Sequence, residues 1–158
     1  MRSEFVKALE VEMTFNKRIF VLLGDLGYGI FDDLREKFPD RCINVGSSEQ
    51  LMVGMATGMA LEGKIPVCYS ISSFLIYRPF EFIRNYLSHE SIPVKLVGSG
   101  RDYDYGEAGF THHSPELAQI LDIFPKITQF WPQNNEELGH LISSFLYSNE
   151  PAFLSLKR

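Results

Sequence analysis

Residues 2–24, RSEFVKALEVEMTFNKRIFVLLG, set the architecture of the chain. Over 2–14, Phe5, Val6, Leu9 and Met13 recur at helical spacing, whereas Ile19 to Leu23 is an unbroken apolar run that stops at Gly24. A helix therefore feeds a buried core strand. Beyond it, short apolar runs predict further strands at 42–45, 66–70, 93–97, 127–130 and 152–156. Helical patterns predict helices near 31–38, 48–62, 79–88, 115–122 and 134–148. This alternation is that of an α/β fold in three layers, a mostly parallel sheet with helices on both faces. No linker, repeat or low-complexity run divides residues 1–158, so one domain is expected.

The 158 residues suffice to bury roughly 68–70% of the unfolded surface. Lys plus Arg number 15 and Asp plus Glu 20, and the resulting charge of −5 argues against nucleic acid or an anionic membrane as partner. The longest apolar run, Ile19 to Leu23, is far short of the ~20 residues of a membrane span. Cys42 and Cys68 have no CxxC or His companion, which suggests reduced thiols in a cytoplasmic protein and no metal site.

Four stretches could carry chemistry. Ser47-Ser-Glu-Gln50 has capping-box spacing, with Ser47 as N-cap and Gln50 reaching back, which places Glu49 in the first helical turn. A carboxylate there suits the helix dipole, yet the neighbouring Leu51, Met52, Val53 and Met55 also suit an acid or hydrogen-bond partner in an apolar site. Spacing leaves both readings open. On the same helix, the step from Gly54 to Gly58 permits close approach of another element, within the chain or across a subunit contact. Phe74, Tyr77 and Phe80 recur at i, i+3 and i+6 after a strand, a stripe that serves either the core or a flat heteroaromatic ring. The segment Gly98 to Ser114 follows a strand at the carboxyl edge, where open α/β sheets bind ligands, and His112 and His113 stand within it. Ser114-Pro115-Glu116 then reads as a helix start. GxGxxG, GxxxxGK[ST], GxSxG and HExxH are all absent.

Taken in order, Gly24-Asp25-Leu26, Gly46-Ser-Ser-Glu49 through Ala60, Ser73-Phe74 through Phe80, Gly106-Glu-Ala-Gly109-Phe-Thr-His112, Trp131-Pro132 and Lys157-Arg158 resemble the pyrimidine-binding domain of transketolase and its thiamine diphosphate-dependent relatives. The resemblance implies that Glu49 is catalytic, bonding the pyrimidine ring nitrogen and stabilising the imino tautomer of the cofactor. It implies a pyrimidine pocket formed by Phe74, Tyr77 and Phe80, with Asp25 and Leu26 lining the cofactor near a subunit interface. His112 matches a histidine that contacts the sugar and is, with Glu49, a catalytic candidate, and Arg158 matches an arginine that grips the substrate phosphate.

The chain departs from the family pattern at three positions. Ala108 replaces the aspartate of G-E-D-G, and Gly100 and Gly29 stand where a phosphate-binding histidine and a serine are usual. Arg101 or His113 would then be the compensating cation for the substrate. The family holds the cofactor diphosphate and magnesium through a G-D-G motif on another domain, and no such motif occurs here. The expectation is a split enzyme that lacks both the diphosphate-binding and the carboxy-terminal domain. Its partner would be a separate diphosphate-binding subunit, in a heterotetramer of two plus two chains, acting on a sugar or sugar phosphate by moving a ketol unit. A deoxyxylulose phosphate synthase-like or 2-oxoacid decarboxylase subunit, or a non-catalytic module of the same fold, are the alternatives.

Overall fold

The computed structural model describes residues 1–158. Six parallel strands, β1 (Ile19–Leu23), β2 (Cys42–Asn44), β3 (Ile65–Ile71), β4 (Lys95–Ser99), β5 (Thr128–Phe130) and β6 (Ala152–Leu156), form one sheet in the order β2-β1-β3-β4-β6-β5. Helices α1 (Arg2–Phe15), α2 (Asp32–Lys37), α3 (Glu49–Leu61), α4 (Ser72–Tyr77), α5 (Phe80–Phe82), α6 (Leu117–Asp122) and α7 (Asn135–Tyr147) cover it. No helix is long and apolar enough to cross a membrane.

Side chains alternate across the strands, so each strand feeds two cores. The register aligns Leu22, Cys68, Leu96 and Phe153 in one row, and these pack with Met52, Val53 and Ala56 of α3 and Leu75 and Ile76 of α4. The next row, Leu23, Tyr69, Val97 and Leu154, points the other way onto Phe5, Leu9 and Met13 of α1 and Phe145 of α7. From β1 the chain steps to β2 on one side and then to β3 on the other, so the topological switch lies between β1 and β3.

Several elements differ from the sequence-based expectation. β3 runs to Ile71 and turns directly into α4, a helix that the aromatic stripe alone did not announce. The helix expected over 79–88 is a short α5 followed by a π-wound turn, Ile83–His89, after Pro79, which lacks an N–H. β4 starts at Lys95, past Pro93, so Gly98 and Ser99 belong to the strand and not to the loop. At Gly98, a Cβ would stand 2.5 Å from Ser72 Oγ and 2.9 Å from Phe153 Cζ; glycine is what lets α4 lie against β4. The expected helix start at Ser114-Pro115 moves to Leu117, after a turn closed by Leu117 N–H on Ser114 O, while Ser114 N–H bonds Asp102 O.

The capping box also fails. The N-cap of α3 is Ser48, no side chain caps the helix, and Ser47 Oγ accepts from Arg78 instead. Gly46, with φ of 77°, turns the chain so that Glu49 itself begins the helix. The close approach at Gly54 is internal: a Cβ there would meet Phe82 at 3.1 Å, whereas Gly58 faces open space.

Candidate active site

At the switch point the carboxyl ends of β1 and β3 lie side by side, with Gly24 N–H bonded to Tyr69 O, and Glu49 reaches them from the first turn of α3. Its side chain is fully covered, a costly position for a carboxylate unless each oxygen finds a donor. Ser70 Oγ, from β3, donates to Oε1 at 2.7 Å, and Arg78 Nη1, just beyond α4, donates to Oε2 at 2.6 Å. Gly24, ending β1, closes the third side: a Cβ there would lie 3.0 Å from Ser70 Oγ and 3.3 Å from Glu49 Oε1. The Arg78 guanidinium lies 3.8 Å from the centroid of the Phe74 ring, so a flat aromatic face adjoins the carboxylate. Ser47, Ser48, Glu49, Gln50, Leu51 and Arg78 line an open depression of about 460 Å³ in front of it.

The loop after β4 is tied to this site through α4. Ser73 Oγ donates to Thr111 O at 2.8 Å, the Tyr77 phenol donates to the Glu116 carboxylate, and the His112 ring meets Phe74 edge-on at 4.9 Å between centroids. Burial, with the Glu116 bond second, pushes the pKa of the Tyr77 hydroxyl up, so it stays a donor. Thr111 Oγ1 lies 3.0 Å from His112 Nδ1, and His112 also adjoins Tyr105 at 5.7 Å. Tyr105 carries the Arg158 guanidinium on its ring at 4.9 Å and shares a hydrogen bond with Ser99. Asp104 Oδ2 accepts from the backbone of both Arg101 and Arg158, which joins the end of β6 to the loop.

The residues expected at the site are therefore gathered only in part. Glu49, Phe74 and His112 form one continuous group, with Arg158 reached through Tyr105. Tyr77 is turned to Glu116, and the half-buried Phe80 packs on Phe124 at 5.1 Å against the core, so the three aromatics of the stripe do not share one pocket. Asp25 follows Gly24 at the switch point with φ of 57°, a strained left-handed backbone for a non-glycine residue. Asn44 Nδ2 and the Tyr28 hydroxyl donate to its carboxylate, and these two bonds, Asn44 first, hold its pKa below the usual carboxylate range. Leu26 packs toward the α1 side of the sheet.

Arg101 is not the compensating cation. Its guanidinium turns inward, donating to Ser155 Oγ and O and to Pro132 O, since a buried guanidinium must spend its donors on whatever carbonyls are near. Burial accordingly lowers its pKa from the usual value. His113 Nε2 is engaged with Gly106 O at 2.8 Å. Sequence reasoning missed Ser70 and Arg78. The signals were a lone serine in the apolar run of β3, and an arginine four residues after Phe74 on one helical face.

Residues 1–158 match the family described as transketolase, pyrimidine binding domain. The chain is 34% identical over 121 residues, 77% of its length, to a subunit of the apulose-4-phosphate transketolase of Actinobacillus succinogenes, covering 39% of that protein. It is 30% identical over 159 residues to the 6-deoxy-6-sulfo-D-fructose transketolase subunit of a Clostridium species, covering 100% of this chain and 49% of the relative. A solved structure described as a split gene transketolase, inactive beta4 tetramer, superposes with a TM-score of 0.87 at 26% identity, over 99% of this chain and 50% of that one. The chain thus spans half or less of the length of these relatives.

Proposed function

The chain belongs to the transketolase pyrimidine-binding domain family, and we propose accordingly that residues 1–158 form the pyrimidine-binding unit of a two-chain, thiamine diphosphate-dependent enzyme that transfers a ketol unit between sugar-type substrates. The observation that carries this reading is the buried Glu49 carboxylate held by Ser70 beside the Phe74 face at the switch point. A carboxylate so placed fits a nitrogen heterocycle bearing a ring N–H, and the aromatic face fits its π-surface. Thiamine diphosphate, when bound, supplies the carbanion equivalent that carries the ketol unit.

The work left to this chain is binding, orientation and proton handling. Glu49 holds a proton at the pyrimidine nitrogen, and Ser70 keeps its carboxylate from rotating. Phe74 supports the ring, and Asp25, fixed by Asn44 and Tyr28, lines the cofactor at the subunit contact. His112 and Arg158 bind the sugar or sugar phosphate, with Ala108 relaxing the selection of a donor hydroxyl. Diphosphate and magnesium are held by a separate diphosphate-binding subunit, in a heterotetramer of two plus two chains in the cytoplasm. The subunit and split-gene descriptions of the relatives support a division of the site between chains.

Calorimetry tests the proposal. The purified chain alone is expected to show no micromolar binding of thiamine diphosphate, and mixing it with a diphosphate-binding chain and magnesium is expected to create both binding and ketol transfer. Tight binding by the lone chain contradicts the shared site.

A further inference from the structure

The Glu49 carboxylate has no solvent-exposed oxygen. Gly24 and Ser70, both buried, close over Oε1 from the sheet side, and Arg78 closes over Oε2 from the solvent side. Of these covers only Arg78 is accessible, with 42% of its side chain exposed. A ligand that is to bond Glu49 through Oε2 must displace it. What Arg78 places there has the character of such a ligand: a flat, delocalised cation, donating an N–H to the carboxylate at 2.6 Å and lying on the Phe74 face at 3.8 Å. A protonated aminopyrimidine offers the same combination of planarity, amidine-type N–H and charge.

Resting on the function proposed above, we propose that Arg78 is a removable stand-in for the heterocycle, seated on Phe74 and Glu49 until a ring takes its place. The device has two effects. It keeps a buried carboxylate paired when no ring is bound, which a water-excluded charge requires. It also makes ring binding conditional on release of the arginine, so the apparent affinity falls by the fraction of molecules in which the arginine has left. The structure offers a place for the released side chain. Arg78 Nη1 already reaches Ser47 Oγ at 3.3 Å, on the rim of the open depression beside α3.

The test is calorimetric titration of the chain, assembled with its diphosphate-binding partner, using two probes: thiamine diphosphate with magnesium, and 4-amino-5-hydroxymethyl-2-methylpyrimidine alone. Arg78→Ala is expected to bind the free pyrimidine about tenfold tighter than the unsubstituted protein, the gain for a stand-in seated nine-tenths of the time. Arg78→Lys, which keeps the charge but cannot lie flat on Phe74, is expected to gain in the same direction by less. Equal or weaker pyrimidine binding in both variants, with unchanged thermal unfolding, overturns the stand-in. Glu49→Gln separates the two levels. If the unsubstituted assembly binds both probes and Glu49→Gln binds neither, while the Arg78 variants gain nothing, the stand-in alone falls. If no protein binds either probe, the function falls with it.

Discussion

Ser70 Oγ donates to Glu49 Oε1 across 2.7 Å, which joins the end of β3 to the first turn of α3 where the strand order reverses. A hydrogen bond to a charged acceptor contributes about 1.5–3 kcal/mol, so Ser70→Ala is expected to lower kcat/KM of the reconstituted enzyme by roughly 10–100-fold. Ser70→Thr, which keeps the hydroxyl, should recover most of that loss. Steady-state kinetics on both variants, with circular dichroism as a check on folding, measures the effect.

Two glycines separate close packing from open helix surface. Gly98→Ala forces a methyl against Ser72 Oγ and Phe153, and a loss of about 1–3 kcal/mol in urea unfolding is expected. Gly58→Ala in α3 meets nothing within 4 Å and should raise stability by about 0.5–1 kcal/mol through helix propensity. The reverse order of the two would contradict the α4–β4 contact.

Lys95, the first residue of β4, is buried and donates to Ser148 O, Ser148 Oγ and Glu150 O, and burial pulls its pKa down to about 8. The folded pKa lies below the unfolded value of about 10.4, so between these pH values the unfolded chain binds more protons and stability from this group rises with pH. The stability difference between the unsubstituted protein and Lys95→Met should therefore shift in favour of the former from pH 8 to pH 10, by at most about 1.4 kcal/mol per pH unit. Urea unfolding at stepped pH measures it, and a flat difference would contradict the burial.

Burial pushes the pKa of the Cys42 thiol up to about 11 and that of the Cys68 thiol higher still. Thiolate is the reactive form, so the native protein at pH 8 is expected to leave both thiols untouched by Ellman's reagent for far longer than the denatured protein. Prompt native labelling of Cys68 would place it outside the core.

The strand and helix alternation was legible because each strand is a compact apolar run bounded by polar or glycine breaks. Element ends were less so. Pro93 and Pro79 each remove one N–H, and the strand and helix that follow start late or wind differently, effects that depend on which carbonyls lie nearby. Glu49 was selected from its apolar neighbours and family resemblance, but the reason a carboxylate survives there is Ser70, twenty-one residues away, and Arg78. Such partners are tertiary and leave no local spacing. The aromatic stripe shows the same limit, since α4 ends between Tyr77 and Phe80 and turns Phe80 toward Phe124 at the edge of the core. Arg101 shows its converse, a cation placed by sequence in a polar loop whose donors fold back onto Ser155.

The role assigned to the Glu49 carboxylate, handling a proton at a bound pyrimidine ring, is put at risk by Glu49→Gln in the reconstituted two-chain enzyme. An amide keeps the size and the Ser70 contact but cannot hold the proton, so ketol-transfer turnover is expected to fall by about 10²–10⁴ while the thermal midpoint moves by no more than a few degrees. Near-normal turnover in Glu49→Gln would reduce Glu49 to a helix-start residue and contradict that role.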